Sequence, residues 1–235
     1  VAAGEAEQGV VPIENSLAGS VLENYDLLLE YDAQIVGEVS LPVRHCLLAP
    51  PGRALADITH CYSHPQALAQ CARFLTEHDI EPRAARNTAE AARDLASRDE
   101  PGAAAIASAR AGQLHGLDTV VGEIQTRADN TTRFFVIARE RPTSLAAEKT
   151  SLAFSTVNRP GALLHCLEAF AGHSLNLTKL ESRPTGDALW EYHFYVDAEA
   201  QDGGALPDGV LATLVADLAP CTSFVRVLGQ YPQAR

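Results

Sequence analysis

A cluster of polar side chains stands directly in front of a strongly apolar segment in the sequence "DNTTRFFVI", which begins at position 129. Asn130, Thr131, Thr132 and Arg133 supply an amide, two hydroxyls and a guanidinium, and Phe134–Ile137 form the apolar run. The run predicts a buried strand, and hydrogen-bonding groups at its entrance are suited to orient a ligand. Taken alone, the pattern favours ordinary strand-edge residues for the two threonines.

Two more polar clusters follow apolar segments in the same half of the chain. The cluster "ENS" at 14–16 follows "GVVPI", and "SHP" at 63–65 ends the segment "ITHCYSHP". Strand and helix patterns alternate over 9–138, which is typical of an α/β fold with ligands beyond the carboxyl ends of the strands. The spacing of Ser20 and Glu23 predicts a capping box at the start of a helix. We expect the three polar clusters to meet at a cleft between two lobes.

The composition is that of a globular protein and limits the classes of partner. Among 235 residues, Lys and Arg number 18 and Asp and Glu number 30, so the formal net charge is −12. This charge argues against nucleic acid as a partner, because phosphates need a basic surface. No apolar run reaches the roughly 20 residues of a membrane helix. The five scattered cysteines favour a reduced, cytoplasmic protein.

The last third of the chain has its own pattern of elements. The charged segment "RERPTSLAAEKT" at 139–150 has no regular spacing of apolar residues, which predicts a linker. Beyond it, strand and helix patterns follow in the order βαββαβ over about 85 residues, which is typical of a ferredoxin-like unit.

Six motifs together resemble the prephenate dehydratase family with a C-terminal ACT regulatory domain. They occur in the order "GVVPIENS", "YSHPQALAQC", "NTAEAA", "TTRFFVI", "NRPGALL" and "ESRP", and the similarity covers essentially the whole chain. Chains of this family normally open with a strand and a Gly-rich loop that precede "GVVPIENS". This sequence lacks them, so we expect a truncated start and a first lobe without one wall.

The resemblance implies a two-lobed, periplasmic-binding-protein-like α/β catalytic domain followed by a ferredoxin-like βαββαβ ACT domain. The implied ranges are 1–140 for the catalytic domain (first lobe 1–18 and 128–140, second lobe 19–127), 141–149 for a linker and 150–235 for the ACT domain.

The implied reaction is the loss of water and carbon dioxide from prephenate to give phenylpyruvate, catalysed by a carbon–oxygen lyase. Aromatisation drives this step, so no metal or redox cofactor is expected. By resemblance, Thr132 is the catalytic residue and donates a hydrogen bond to the departing hydroxyl. The substrate-binding residues expected with it are Asn15, Ser63, Gln70, Thr131 and Arg133.

Several of these residues have an ordinary structural alternative. Arg133 could clamp a carboxylate or brace its strand through a buried ion pair. Asn15 could be only a turn residue, Ser63 a helix cap, and Gln70 a solvated helix residue. His64 could act as a general base, but its position suits a structural role at the start of a helix.

The ACT resemblance implies that phenylalanine binds as a feedback inhibitor between two such domains of a homodimer or homotetramer. Small residues at a helix start leave N–H groups open to an amino-acid carboxylate. The expected effector-binding residues are Asn158, Gly161, Ala162, Leu163, Glu181, Ser182, Arg183 and Pro184. The alternative is an ordinary helix start at Gly161 and a surface ion pair of Glu181 with Arg183.

Two other functions fit the same pattern. An arogenate dehydratase would run the same chemistry on the amino-acid analogue of prephenate. A non-catalytic, amino-acid-sensing protein would also have two lobes around a cleft, although the intact Thr-Arg-Phe weighs against it.

Overall fold

The chain forms two compact units. The computed structural model describes residues 1–98, 100–141, 147–185, 191–207 and 209–234. Unit 1 comprises Val1–Leu41 and Thr132–Arg235, and unit 2 comprises Pro42–Thr131. Both units mix helices with sheets, so the predicted α/β class is confirmed.

The elements follow one another much as the sequence predicts. In chain order they are β1 (Gln8–Asn15), β2 (Gly19–Ser20), α1 (Leu22–Glu30), β3 (Gln34–Pro42), β4 (Cys46–Ala49), a 3-10 turn (Leu55–Asp57), β5 (His60–Ser63), α2 (Pro65–Gln70), α3 (Ala72–Glu77), β6 (Glu81–Ala84), α4 (Thr88–Ala96), β7 (Ala103–Ala107), α5 (Ala109–His115), β8 (Asp118–Val121), β9 (Thr131–Ala138), β10 (Lys149–Thr156), α6 (Ala162–Gly172), β11 (Leu175–Pro184), β12 (Tyr192–Ala200), α7 (Val210–Leu218) and β13 (Thr222–Tyr231).

The C-terminal elements have the predicted βαββαβ order. Strands β10 to β13 are antiparallel neighbours in the order β13-β10-β12-β11, and α6 and α7 cover one face. Phe154 of β10, Phe170 of α6 and Leu214 of α7 are fully buried between the helices and the sheet. The sequence "TGDA" at 185–188 predicts a turn between β11 and β12, but only Thr185 of it is among the described residues. Trp190 and most of the predicted linker also lie outside them.

The same sheet continues into the N-terminal part of unit 1. Within the described chain, its eight strands run β11-β12-β10-β13-β3-β9-β1-β2. Strand β13 joins β3 as a parallel pair at Gly229 and Ile35. A Cβ atom at Gly229 would overlap the Ile35 carbonyl group, so only glycine permits this approach.

The two edges of this sheet are linked by side chains. Ser20 of β2 donates a hydrogen bond to Glu181 of β11 at 2.6 Å and accepts one from Lys179 at 2.9 Å. Lys179 also pairs with Glu14 of β1 at 3.2 Å. Since flat neighbouring strands lie about 4.8 Å apart, edge-to-edge contact across eight strands requires a strongly curled sheet.

Residues 19–41, which the sequence analysis assigns to the second lobe, lie in unit 1 in the structure. Tyr25 and Leu28 of α1 and Ile35 of β3 are buried in one core with Phe135 of β9. The packing of these apolar side chains is therefore the reason that residues 19–41 belong to unit 1. The division into a catalytic and a regulatory domain stays a prediction.

The predicted capping box at Ser20 is wrong. Helix α1 begins at Leu22 with Val21 as its N-cap, and no side chain caps it. The Ser20 hydroxyl is directed to Glu181 on another strand, a partner that local sequence does not reveal.

Unit 2 is a smaller α/β unit. Its described strands form a sheet in the order β6-β5-β7-β4-β8, with β5 parallel to β6 and β7, and β4 antiparallel to its neighbours. Strand β7 is almost pure alanine and completely buried. In the described part of the chain, no helix has the length and apolar character needed to cross a membrane.

Candidate active site

Thr132 and Asn15 form a cross-strand pair in unit 1. They are direct partners in the antiparallel pairing of β9 with β1. The Asn15 Nδ2 donates a hydrogen bond to the Thr132 Oγ1 at 3.0 Å. Both side chains are half-buried, so each is partly open to a bound molecule.

The turn after β1 determines which way the Asn15 amide points. Its Oδ1 accepts hydrogen bonds from the backbone N–H groups of Leu17 at 3.1 Å and Ala18 at 3.0 Å. The amide nitrogen must therefore be the atom that faces Thr132, and the Thr132 oxygen must accept. Because that oxygen accepts from Asn15, the Thr132 hydroxyl hydrogen is directed elsewhere and can be donated to a ligand. Asn15 is thus a turn residue and a partner of Thr132 at once.

Arg133 braces its strand. Its Nε donates to Glu38 of β3 at 2.7 Å, and its Nη1 donates to Asp197 of β12 at 2.6 Å. The guanidinium also lies 4.9 Å from the ring centre of Phe135. Burial by itself would lower the pKa of Arg133, but the charge of Asp197 and its other partners raise it above the usual range. Of the two alternatives from the sequence, these contacts favour the brace.

In unit 2, Gln70 is the centre of a polar cluster. Its Oε1 accepts from Asn130 Nδ2 at 3.1 Å and lies 2.7 Å from His45 Nε2, which must therefore carry the proton. His45 and Asn130 are buried. With Oε1 occupied by these two partners, the amide nitrogen of Gln70 is the group suited to donate to a ligand.

Ser63 and His64 end strand β5 and start helix α2. Ser63 is fully buried, and its hydroxyl donates to the Ile106 carbonyl at 2.6 Å. His64 is the N-cap, because its Nδ1 accepts from the Gln66 N–H at 3.2 Å. The structural role of His64 at a helix start is thus observed. Ser63 is not the cap, and its contact with substrate stays a prediction, as does that of half-buried Thr131.

The residues expected to bind an effector lie at two places in unit 1. Gly161 is the N-cap of α6 with φ of 82°, Ala162 is buried, Leu163 packs against the core, and Asn158 is exposed. On β11, Ser182 and Pro184 are exposed, whereas Arg183 pairs with Asp26 of α1 and Glu181 with Ser20. The surface pair of Glu181 with Arg183 is therefore replaced by contacts of each with the N-terminal part of unit 1.

Sequence reasoning missed His45 and the partners of Arg133. The acids Glu38 and Asp197 each lie inside a strand, and Asp197 directly follows the apolar run "FYV". A charged residue at a buried strand position needs a partner of opposite charge. That signal was present in the sequence, although it does not identify the partner.

Fold and site together define an α/β protein in which a threonine–asparagine pair lies at the start of strand β9, in a sheet that also contains the strands of a βαββαβ segment. A family model described as prephenate dehydratase matches residues 1–142. A protein of Arabidopsis thaliana described as arogenate dehydratase/prephenate dehydratase 2, chloroplastic, is 44% identical over 96% of this chain and 61% of its own length. The chain belongs to the prephenate dehydratase family. It spans about six tenths of the length of that relative.

Two solved structures are similar over nearly the whole chain. A prephenate dehydratase from Arthrobacter aurescens in complex with L-Phe has a TM-score of 0.84 at 34% identity, covering 99% of this chain and 77% of that one. A protein named GqqA, described as a novel type of quorum quenching acylase, has a TM-score of 0.86 at 34% identity, covering 100% of this chain and 85% of that one.

Proposed function

We propose that the protein is a prephenate dehydratase, a lyase of phenylalanine biosynthesis. The observation that carries the proposal is the Thr132–Asn15 pair, in which the amide donates to the threonine oxygen and leaves the hydroxyl hydrogen to donate. It lies in the Thr-Arg-Phe sequence by which the chain resembles this family. The proposed layout is a two-lobed catalytic domain followed by an ACT domain, in a cytoplasmic protein.

The proposed mechanism needs one well-placed hydrogen-bond donor. The bond from the ring to one carboxylate breaks and releases carbon dioxide, its electron pair enters the ring, and the ring C–O bond breaks. With one proton the departing hydroxyl becomes water. Thr132 donates to that oxygen, and Asn15 stabilises the negative charge that then grows on the Thr132 oxygen. Water or a neighbouring group returns the proton to Thr132.

Groups other than Arg133 must bind the negatively charged carboxylates of the substrate. The charge of Arg133 is already balanced by Glu38 and Asp197. The amide of Gln70 and backbone N–H groups at the start of a helix are suited to bind a carboxylate. Orientation by such contacts supplies a large part of the acceleration in reactions of this kind.

Replacement of the Thr132 hydroxyl tests the proposal. Thr132→Ala removes the donor, so we expect turnover of prephenate to fall at least about 100-fold, whereas Thr132→Ser should retain much of it. Phenylpyruvate formation is measured by its absorbance in alkali, with circular dichroism to check folding. Turnover in Thr132→Ala close to that of the unchanged protein would remove Thr132 from the mechanism.

The rival functions are distinguished by substrate. Arogenate and prephenate are compared at equal concentration, because the Arabidopsis relative is described with both activities. A sensor without catalysis would bind an amino acid and turn over neither.

Amide hydrolysis is the contrasting reaction, since GqqA is described as an acylase. Burial raises the pKa of Cys61, Cys71 and Cys166 to about 12, so these thiols stay protonated and are poor nucleophiles. Release of an amine from an N-acyl substrate, without dehydration of prephenate, would favour this rival.

Phenylalanine is the proposed effector. The Arthrobacter structure was solved with L-Phe, and here α6 begins with two small residues after Pro160. We propose that it binds in the ACT domain at an interface in a homodimer or homotetramer.

A further inference from the structure

Asp197 is a buried carboxylate outside the candidate site. It lies on β12 in the βαββαβ segment and is 2% exposed. Such a charge is costly unless it is paired and hydrogen-bonded. Asp197 has both kinds of partner, since Arg133 Nη1 donates to it at 2.6 Å and Ser151 Oγ at 2.5 Å.

Charges and hydrogen bonds around Asp197 are closely matched. At its centre two acids, Glu38 and Asp197, face two cations, Arg133 and Lys149, and the Lys149 Nζ lies 3.4 Å from Glu38. Glu14 of β1 lies at its margin, 3.9 Å from Arg133. The Tyr231 hydroxyl lies 2.6 Å from Ser151 Oγ. Burial raises the pKa of Tyr231 well above its usual value, so this hydroxyl stays neutral. The Asp197 carboxylate is therefore both paired and hydrogen-bonded, which suits a rigid structural link.

Arg133 connects this cluster to the candidate site. Its guanidinium is held between carboxylates on β3 and β12, while its backbone belongs to β9, one residue after Thr132. Cross-strand neighbours continue the link, because Glu14 pairs with Arg133 and Asn15 with Thr132 in adjacent registers. A shift of the backbone at Arg133 would move the Thr132 oxygen relative to Asn15.

We propose that Asp197 is a positioning residue for the reaction: through Arg133 it holds β9 in the position at which Thr132 meets Asn15. The inference rests on the proposed function for its catalytic consequence. It makes the βαββαβ segment a part of the catalytic scaffold, since a residue of that segment holds the strand that carries Thr132. A displacement of β12 is then transmitted to β9, and so to Thr132, through the Arg133–Asp197 ion pair.

Asp197→Asn tests the inference, because it keeps the shape of the side chain and removes its charge. We expect kcat to fall about 10-fold while KM changes less than about 2-fold, since orientation is lost and substrate contacts are not. Glu199→Gln is the matched control. Glu199 is an acid on the same strand that bonds to Gln233 and not to Arg133, and it should leave kcat unchanged.

A double-mutant cycle separates positioning from general destabilisation. If Asp197 acts through Thr132, the effects of Asp197→Asn and Thr132→Ser on kcat are non-additive. Additive effects in folded variants, or an unchanged kcat in Asp197→Asn, would overturn the inference. Ser151→Ala retains all four charges of the cluster. If Asp197→Asn does not fold, Ser151→Ala replaces it in the test, and we expect its kcat to fall by a smaller factor of about 3-fold.

Amide hydrogen exchange keeps the test independent of the reaction. The inference predicts faster exchange at residues 131–134 in Asp197→Asn but not in Glu199→Gln, whether or not prephenate is turned over. Equal exchange in both variants would also reject the link. Absence of dehydration in the unchanged protein, by contrast, would reject the proposed function while the exchange result still decides whether Asp197 holds β9.

Discussion

The orientation of a single amide determines what the Thr132 hydroxyl can do. Asn15 uses its oxygen to hold the turn after β1 and its nitrogen to contact Thr132. A threonine hydroxyl can both donate and accept, so an unconstrained one would have no fixed role. Here the Asn15 amide donates to the Thr132 oxygen, so the Thr132 hydroxyl can act as a donor toward a bound ligand.

At this scale we predict that Asn15→Asp abolishes most of the turnover. The new side chain can still accept from Leu17 and Ala18, but its second oxygen can only accept from Thr132. The Thr132 hydrogen would then be donated to the introduced carboxylate and not to the departing hydroxyl, so we expect kcat to fall about 100-fold. Steady-state phenylpyruvate formation measures the effect.

The control for that variant is Asn87→Asp. Asn87 caps α4 by accepting from the Glu90 N–H at 2.7 Å, and Asp is an equally good cap. We expect unchanged activity. If Asn15→Asp were as active as Asn87→Asp, donation by the Asn15 amide would have no part in the reaction.

Among the elements, the join between β13 and β3 connects the two parts of the sheet in unit 1. It is a parallel pairing at Gly229 and Ile35, and it lets the βαββαβ segment share one sheet with β3, β9 and β1. The β9 strand that carries Thr132 is the next strand beyond β3. The stability of the join therefore bears on the position of Thr132.

We predict that Gly229→Ala weakens this join. A methyl group there would overlap the Ile35 backbone, so the strands must separate, at a cost of about 1–3 kcal/mol typical of overpacking. Urea unfolding measures the loss. Gly172→Ala is the control, because nothing lies near its Cβ position, and it should change stability by less than about 1 kcal/mol. Equal stability of the two variants would show that the close approach at Gly229 is dispensable.

For the whole molecule, the question is how binding of the proposed effector at the start of α6 would affect the position of Thr132. An effector shifts activity only by binding two states with different affinity. Unit 1 offers physical links between its two parts, through Arg133 with Asp197 and through Arg183 with Asp26. These two ion pairs connect the βαββαβ segment to β9 and to α1.

At this scale we predict that Gly161→Leu relieves inhibition by phenylalanine. A leucine would fill the approach to the start of α6. Gly209→Leu is the matched control, because Gly209 is the N-cap of α7 with φ of 74°, close to the 82° of Gly161, and both substitutions carry similar backbone strain. Inhibition curves for both variants measure the effect. Equal inhibition in the two would place the effector elsewhere.

Local patterns in the sequence determined most of the elements. The apolar run after Thr132 predicted β9, and the βαββαβ order of the C-terminal segment was correctly predicted. These features depend on hydrogen bonds and apolar spacing among near neighbours in the chain, so they leave a local signature.

Tertiary structure decided the partners. Arg133 meets Asp197, 64 positions away, and Ser20 meets Glu181, 161 positions away, so Arg133 is a brace and Ser20 is not a helix cap. Gly229 is required because a second strand passes within contact of its backbone. Contacts between residues so far apart in the sequence depend on how a curled sheet brings distant strands together. They therefore cannot be predicted from the spacing of residues along the chain.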